Sequence, residues 1–299
     1  MNYTITGSLG NISKPIAEAL VKAGHQVTVI TSKRENAAAI EAIGAKAAVG
    51  SVEDVAFLTN AFAGADAVYT MVPPKWDSSE WKKWIGSIGE NYAVAIEANG
   101  IQYVVNLSSI GADKADGVGP VSGLHLAEKA LNKLSSVNVL HLRPGYFYQN
   151  QLANIAMINH MGINGGNFGD SNIVLVHPAD IAEVAVDALL GLSFSGHNVK
   201  YIAGDEKNGA EISAALGTAI GKPQLPWIVF SDDQNLQGAI LAGLPEEVAK
   251  NYTEMGAAMR TGYMFEDYYK NRPALSKIKL ADFASEFAEV FNATAVANH

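Results

Sequence analysis

The chain of 299 residues contains no cysteine. This absence excludes disulfides, thiolate nucleophiles, iron–sulfur clusters and cysteine-ligated zinc sites. The sequence also has no apolar run near the roughly 20 residues that a membrane-spanning helix needs, and no signal-like segment at its N-terminus. We therefore predict a cytoplasmic protein that does not bind membranes.

Positive charge is also scarce. The chain has 21 lysine and arginine residues against 30 aspartate and glutamate residues, which gives a formal net charge of -9. Proteins that bind nucleic acids concentrate lysine and arginine to displace counterions from the phosphate backbone, so we expect no nucleic-acid partner. The 7 histidines are dispersed and lack the spacing of metal ligands, so we expect no metal site.

What the sequence does contain is an alternation of apolar, strand-like runs with stretches of helical period up to about residue 150. Continuous apolar strands separated by helices are typical of a parallel sheet that is covered on both faces. The predicted fold class is α/β, a doubly wound parallel sheet with a smaller, mostly helical C-terminal lobe. The sheet domain spans 1–150, completed by parts of 172–203, and the lobe spans 151–299. The predicted strands are Tyr3–Thr6, Gln26–Ile30, Ala45–Val49, Ala67–Met71, Tyr103–Leu107 and Asn138–Leu142.

A glycine-rich turn follows the first predicted strand. Its spacing is Gly7-x-x-Gly10-x-x-Ser13, with serine where a dinucleotide fingerprint usually ends in glycine or alanine. The first glycine of such a turn allows the tight bend, the second lets the backbone approach a pyrophosphate, and the third lets the helix pack on the strand. Both ligand-facing glycines are present, so the turn predicts dinucleotide binding at a helix N-terminus, although glycines that only cap the helix are the alternative. The predicted contacts are Gly7, Ser8, Leu9, Gly10, Asn11 and Ile12.

The end of the second predicted strand indicates which dinucleotide binds. NAD-binding proteins commonly place a carboxylate there against the ribose 2′-hydroxyl, whereas NADP-binding proteins place arginine near the 2′-phosphate. This sequence has Ser32, Lys33 and Arg34 before its first carboxylate, Glu35. A hydroxyl group and two cations fit a phosphate, so we predict NADP as the cofactor, with NADPH preferred over NADH. The alternative is that Lys33 and Arg34 only form an exposed turn.

Five stretches, in their order and spacing, together resemble the NmrA-like branch of the atypical short-chain dehydrogenase/reductases. They are TGSLGNIS, GSVEDVAFLTNAFAGADAVYTMVPP, YVVNLSSIGA, LRPGYFYQN and LVHPADIAEVAVDALL. The resemblance covers nearly the whole chain and implies an NAD(P)-binding Rossmann sheet with a small C-terminal substrate lobe. It also implies cofactor contacts after the third strand, after the fourth strand and within RPGYFYQN. These contacts are Ser51, Val52, Met71, Val72, Pro73, Tyr146, Phe147 and Asn150.

The catalytic tyrosine of the short-chain dehydrogenases is missing. The family pattern is Tyr-x-x-x-Lys, and the matching stretch, VSGLHLAEKALNKL, has His125 and Lys129 at that spacing. A count without gaps from the RPG segment instead places His125 at the lysine position and Val121 at the tyrosine position, and we favour this count. A histidine can donate a proton near neutral pH, and Ser108, after the fifth strand, can orient a substrate oxygen. The predicted catalytic residues are therefore His125, Lys129 and Ser108.

The predicted function is NAD(P)H-dependent reduction of a small aromatic or quinone-like substrate by hydride transfer. A quinone needs little acid catalysis, so activity is compatible with the loss of the tyrosine. The same loss supports an alternative, in which the chain is an NAD(P)(H)-binding redox sensor with little catalysis, since the namesake of the resembled branch is a regulator. The sequence predicts a small-molecule partner and leaves open whether the chain is a monomer or a homodimer.

Overall fold

The computed structural model, which describes residues 1–297, is built on a seven-stranded parallel sheet with helices on its faces. The strands of the molecule are β1 (Asn2–Ile5), β2 (Gln26–Thr31), β3 (Lys46–Val49), β4 (Ala67–Thr70), β5 (Tyr103–Leu107), β6 (Asn138–Pro144), β7 (Tyr146–Phe147), β8 (Asn164–Gly166), β9 (Ile173–Val176), β10 (His197–Ile202), β11 (Asp205–Lys207) and β12 (Trp227–Val229). The helices are α1 (Ser13–Lys22), α2 (Ala37–Ala42), α3 (Val55–Phe62), α4 (Trp81–Ala98), α5 (Val121–Leu131), α6 (Ile155–Met161), α7 (Pro178–Gly191), α8 (Gly209–Ala219), α9 (Asp232–Leu241), α10 (Glu246–Thr261), α11 (Glu266–Lys270) and α12 (Leu280–Ala297).

The strand order of the central sheet is β10-β6-β5-β4-β1-β2-β3. The six strands predicted from the sequence correspond to β1–β6, so the prediction of a doubly wound parallel sheet is confirmed. The strand order reverses between β1 and β4, and in open sheets of this kind ligands bind at the carboxyl ends of the strands next to such a switch point.

The apolar strands form the core because both faces of the sheet are covered. On one face, Val68, Val104 and Val139 of three neighbouring strands pack with Leu58 of α3 and Ile88 of α4, and all five side chains are fully buried. Burial of whole apolar side chains contributes roughly 1.5–3 kcal/mol each relative to exposure. The hydrophobic pattern thereby fixes the sheet, and the sheet fixes the loops that leave its edges.

Small residues let α4 and α5 pack closely. A side-chain carbon placed on Gly89 would lie 2.4 Å from the Cα atom of Ala127, and one placed on Gly123 would lie 2.7 Å from the carbonyl oxygen of Lys82. Such distances are below van der Waals contact, so these positions accept glycine alone without a shift of the helices. This contact sets the position of α5, the helix that carries His125.

The chain forms two compact units, and each is discontinuous in sequence. The first contains 1–115, 120–143 and 181–200, and the second contains 116–119, 144–180 and the chain from Tyr201 onwards. The second unit has two small sheets, with strand orders β11-β9-β7 and β12-β8. Within the predicted region 172–203, β10 joins the central sheet, whereas β9 belongs to the three-stranded sheet. The predicted domain boundary at residue 150 stays a prediction. Every helix within 1–297 is too short or too polar to span a membrane.

Candidate cofactor and active site

Four of the loops predicted to bind the cofactor leave the same edge of the central sheet. The strands β4, β1, β2 and β3 are neighbours and pair in parallel. Their carboxyl ends therefore meet at one edge, where open α/β sheets bind ligands. The structure thus gathers the segments 7–12, 32–34, 51–52 and 71–73, which are far apart in sequence.

The two glycines of the phosphate loop have different structural requirements. Gly7 has a φ of +91°, and a side-chain carbon there would lie 2.5 Å from Ser13 Oγ and 2.9 Å from Met71 Cγ. Gly10 has no left-handed φ, and a side-chain carbon on it would meet only the carbonyl oxygen of Gly7, at 3.2 Å. Gly7 is therefore required for the bend itself, whereas the space in front of Gly10 is open to a ligand.

Ser13 departs from the dinucleotide fingerprint and is almost fully buried, at 3% exposure. Its hydroxyl oxygen occupies the space beside Gly7 that a side chain at Gly7 would need. The loop accommodates the serine because Gly7 has no side chain. The close packing of loop and helix is therefore kept with the larger residue in the third position.

The start of α1 offers hydrogen-bond donors to an anion. Gly10 N–H donates to Gly7 O at 3.2 Å, and Lys14 N–H donates to Gly10 O at 3.0 Å. Across residues 1–297, no acceptor is bonded to the backbone N–H groups of Asn11, Ile12 or Ser13. The first turn of α1 also has no acidic side chain. Free amides at the positive end of a helix dipole form a phosphate-binding site, so the loop fits a dinucleotide pyrophosphate.

Three polar side chains connect this loop to the end of β2. Asn36 Nδ2 donates to Ser8 Oγ at 3.0 Å and to Thr31 Oγ1 at 3.3 Å, and Ser8 Oγ donates to Thr31 Oγ1 at 3.1 Å. Ser8 has a φ of +55°, which is uncommon for a residue with a side chain. We call these residues the Ser8–Thr31–Asn36 cluster. Sequence reasoning did not find Thr31 and Asn36, because no local pattern distinguishes them from other polar residues at a strand end.

The cations predicted to bind the 2′-phosphate follow directly on this cluster. Lys33 N–H donates to Thr31 Oγ1 at 3.2 Å. Ser32, Lys33 and Arg34 are exposed, and neither cation has an ion-pair partner in the part of the chain that the structure describes. The turn therefore presents two positive charges that no carboxylate of the described residues neutralises.

Helix α4 holds the loops that follow β3 and β4. Asn91 Nδ2 donates to Val52 O at 3.1 Å, and the Tyr92 hydroxyl donates to Met71 O at 2.7 Å. Met71 N–H in turn donates to Thr6 Oγ1 at 2.8 Å. Burial raises the pKa of Tyr92 above its ordinary value, so this phenol keeps the proton that it donates. Val52, Met71, and the neighbouring residues Val72 and Pro73 are half-buried, and Ser51 is exposed.

His125 is half-buried on α5 and contacts the loop after β5. Its Nδ1 atom lies 2.9 Å from the carbonyl oxygen of Ala112. A carbonyl oxygen only accepts hydrogen bonds, so Nδ1 carries a hydrogen. Within the described chain, Nε2 has no partner. In the neutral ring Nε2 is therefore an acceptor, and it donates a proton only when the ring is charged.

Ser108 belongs to a buried polar network with Glu128 and Arg143. Its hydroxyl donates to Glu128 Oε1 at 2.5 Å, and the Arg143 guanidinium contacts both carboxylate oxygens, through Nε at 3.0 Å and Nη2 at 2.7 Å. Ser108, Glu128 and Arg143 are 5%, 4% and 7% exposed. The network joins the ends of β5 and β6 to α5. Within it, the hydroxyl hydrogen of Ser108 is donated to Glu128. Val121, at the expected tyrosine position, is buried.

Lys129 lies elsewhere on α5. It is exposed and lines an open groove between α4 and α5 together with Lys83, Glu90 and Lys133. His125, four residues earlier, instead contacts the loop after β5. The two side chains therefore have different surroundings, and the catalytic role of each stays a prediction.

The remaining predicted cofactor contacts belong to the second unit. Tyr146 and Phe147 are half-buried in β7, which pairs with β9, and Asn150 is exposed. Burial raises the pKa of the Tyr146 phenol, the nearby Tyr252 raises it further, and a hydrogen bond with Asn150 opposes the shift. Their role as cofactor contacts stays a prediction.

Comparison with known proteins finds similar chains of nearly the same length. The (4-alkanoyl-5-oxo-2,5-dihydrofuran-3-yl)methyl phosphate reductase of Streptomyces griseus is 25% identical, over 96% of this chain and 98% of that protein. The NAD(P)H azoreductase of Xenophilus azovorans is 25% identical, over 97% of this chain and 99% of that protein. The NADPH-dependent quinone oxidoreductase of Escherichia coli, solved with NADPH, superimposes with a TM-score of 0.81 at 23% identity, over 95% of this chain and 99% of that one.

These matches confirm the resemblance to the atypical short-chain dehydrogenase/reductases and the Rossmann fold. The sequence profile of the NAD(P)H-binding family matches residues 7–190, which is more than half of the chain and begins at the first glycine of the phosphate loop. The chain therefore belongs to the NAD(P)H-binding family.

Proposed function

We propose that the chain is an NADPH-dependent reductase that transfers hydride to a small aromatic or quinone-like acceptor. The observation that carries the proposal is the start of α1, where the amides of Asn11 and Ile12 have no acceptor within residues 1–297. The Ser8–Thr31–Asn36 cluster links this loop to the turn with Lys33 and Arg34, which have no ion-pair partner in the same residues. The similar proteins include an NAD(P)H azoreductase and a quinone oxidoreductase, whose names point to conjugated acceptors, and a (4-alkanoyl-5-oxo-2,5-dihydrofuran-3-yl)methyl phosphate reductase, which also acts on a small molecule.

The cofactor's two charged regions match different parts of this site. The amides of Asn11 and Ile12 bind the pyrophosphate, and Lys33 and Arg34 bind the 2′-phosphate, which NADH lacks. Hydrogen bonds between a cationic side chain and a phosphate are about twice as strong as hydrogen bonds between neutral groups. When bound, NADPH supplies a hydride, which carries two electrons and one hydrogen to the acceptor.

Reduction of the acceptor also needs one proton. A quinone that has received hydride is a stable anion that takes this proton from water, whereas a ketone or an aldehyde needs a nearby acid. His125 is the proposed acid. Its Nδ1 hydrogen is hydrogen-bonded to Ala112 O, so in the charged ring Nε2 carries the proton that is donated to the acceptor. Ser108 acts as a positioning residue, since it anchors the end of β5 to Glu128.

The test is NADPH consumption with a panel of quinones and azo dyes, and with a simple ketone and an aldehyde. We expect turnover of the quinones. In the variant His125→Ala, turnover of a ketone or aldehyde falls about 100-fold or more, the usual range for loss of a general acid, and turnover of a quinone falls much less. His197→Ala is the matched control, because His197 also bonds a backbone carbonyl, that of Leu134.

The outcomes separate the two function classes. Tight NADPH binding without turnover of any acceptor would refute the reductase and favour the redox sensor, whose support is the missing tyrosine. Loss of NADPH affinity together with rate in His125→Ala would instead assign His125 to a ribose contact. Cytoplasmic localisation and the choice between monomer and homodimer stay predictions.

A further inference from the structure

The Ser8–Thr31–Asn36 cluster links the two parts of the site that we propose bind the charges of NADPH. Ser8 belongs to the loop that binds the pyrophosphate, and Thr31 ends β2 immediately before the cations. Asn36 ends the short 3-10 helix Arg34–Asn36, so its side chain reaches back from the cation-bearing turn to the phosphate loop. The cluster is the side-chain connection between two elements separated by more than twenty residues in sequence.

The hydrogen bonds of the cluster hold both elements in defined positions. Ser8 N–H donates a hydrogen bond to Ile30 O at 3.0 Å, and the Ser8 hydroxyl oxygen accepts one from Asn36 Nδ2 at 3.0 Å. These two bonds support a residue whose φ of +55° costs energy unless the surroundings fix it. On the other side, Thr31 Oγ1 accepts from Asn36 Nδ2 at 3.3 Å and from Lys33 N–H at 3.2 Å.

We infer that Asn36 is a positioning residue for NADPH. Its side chain joins the phosphate loop to the turn that carries Lys33 and Arg34. This inference rests on the proposed binding of the 2′-phosphate by those cations. A ligand that contacts both elements gains affinity when the protein holds them at a fixed separation beforehand, because binding then orders fewer groups. NADPH brings a charged 2′-phosphate to the turn that carries Lys33 and Arg34, whereas NADH has only a hydroxyl group at that place. Loss of the connection must therefore weaken NADPH more than NADH.

The test is fluorescence titration of NADPH and NADH with wild-type protein, Asn36→Ala, Arg34→Ala and the double variant. We expect Asn36→Ala to weaken NADPH about ten-fold and NADH less than about three-fold. We expect the double variant to bind NADPH no more weakly than Arg34→Ala alone, because the two side chains act through the same contact. Thr31→Val, which removes the shared acceptor without changing the shape much, should repeat the effect of Asn36→Ala.

Asn99→Ala is the matched control. Asn99 is also half-buried in the first unit, and its amide donates two hydrogen bonds, to Thr59 O and Ala95 O, both at 2.9 Å. We expect this control to keep wild-type affinity for both cofactors, and thermal unfolding shows whether it and Asn36→Ala are folded equally well.

The possible failures are distinguishable. Equal affinity of wild-type protein for NADPH and NADH would overturn the 2′-phosphate assignment itself, before any variant is considered. With a wild-type preference for NADPH, an unchanged affinity ratio in Asn36→Ala and Thr31→Val would overturn only the role of Asn36. Equal weakening of both cofactors would also overturn it, because that result describes support of the phosphate loop alone. Additive losses in the double variant would show that Asn36 and Arg34 act independently, against the inference.

Discussion

The variants Gly7→Ala and Gly10→Val separate the glycine that the fold needs from the glycine that the ligand needs. At Gly7, an added side-chain carbon meets a φ of +91° and lies 2.5 Å from Ser13 Oγ and 2.9 Å from Met71 Cγ. The left-handed conformation costs about 1–2 kcal/mol for a residue with a side chain, and overpacking costs about 1–3 kcal/mol. We therefore expect Gly7→Ala to lower the free energy of unfolding by about 2–5 kcal/mol.

Gly10→Val should leave the stability of the fold nearly unchanged and weaken the binding of NADPH. A side-chain carbon there has one close neighbour, the Gly7 carbonyl oxygen at 3.2 Å, so the free energy of unfolding should change by less than about 1 kcal/mol. The β-branched side chain would occupy the space in front of the amides of Asn11 and Ile12, where we propose that the pyrophosphate binds. NADPH affinity should then fall by about 100-fold or more, as expected when a backbone approach of this kind is blocked.

Urea unfolding gives the stabilities, and calorimetric titration with NADPH gives the affinities. A second variant tests the contribution of overpacking to the stability lost in Gly7→Ala. Ser13→Ala removes the hydroxyl oxygen that would lie 2.5 Å from the added side-chain carbon, so the double variant should regain part of the unfolding free energy. The cost of the left-handed backbone conformation remains. Normal NADPH binding by Gly10→Val would show that the motif is only a turn. Wild-type stability of Gly7→Ala would refute the reasoning about its backbone and packing.

Three further predictions concern charges. Glu128→Ala removes the carboxylate that pairs with the buried Arg143 guanidinium and should cost about 3–5 kcal/mol of unfolding free energy, whereas Glu80→Ala breaks an exposed ion pair and should cost less than about 1 kcal/mol; equal losses in urea unfolding would contradict this. Burial lowers the pKa of His141 from 6.5 to about 4. The unfolded chain therefore takes up this proton first as the pH falls, and up to about 3 kcal/mol of stability present above pH 6.5 is lost by pH 4. Urea unfolding at several pH values should show a shallower dependence in His141→Gln, and an unchanged slope would refute the assignment. Finally, wild-type protein should bind NADPH at least about ten-fold more tightly than NADH, and Arg34→Ala should erase the difference in fluorescence titration; a preference that survives in this variant would assign it to other groups.

Sequence patterns identified the strands and the turn that depend on residues close together in the sequence. The apolar strand runs predicted β1–β6, because strands inside a sheet that is covered on both faces are apolar along most of their length. The spacing Gly7-x-x-Gly10 predicted a tight turn at the start of α1, since the bend and the approach of a ligand both require small residues at fixed offsets. The glycine turn together with Ser32, Lys33 and Arg34 predicted a nicotinamide dinucleotide cofactor, and the comparisons confirm NAD(P)H binding.

The sequence was less informative about the active site. It offered two ways of counting to the missing tyrosine, and only the folded chain separates His125, which contacts Ala112 O, from Lys129, which lines an exposed groove. The prediction for Ser108 rested on its place after β5, whereas the structure shows that its hydroxyl hydrogen is donated to Glu128.

By itself, then, the sequence determined the parallel sheet, the phosphate loop and the kind of cofactor, because periodicity and glycine spacing are properties of adjacent residues. Tertiary structure alone decided which polar side chains meet: Asn36 with Ser8, Glu128 with Arg143, and His125 with the loop after β5. Hydrogen bonds between distant segments depend on distances of about 3 Å that are set by the packing of whole helices and strands. No periodicity records those distances, so the residues that position the site emerge only when the chain is folded.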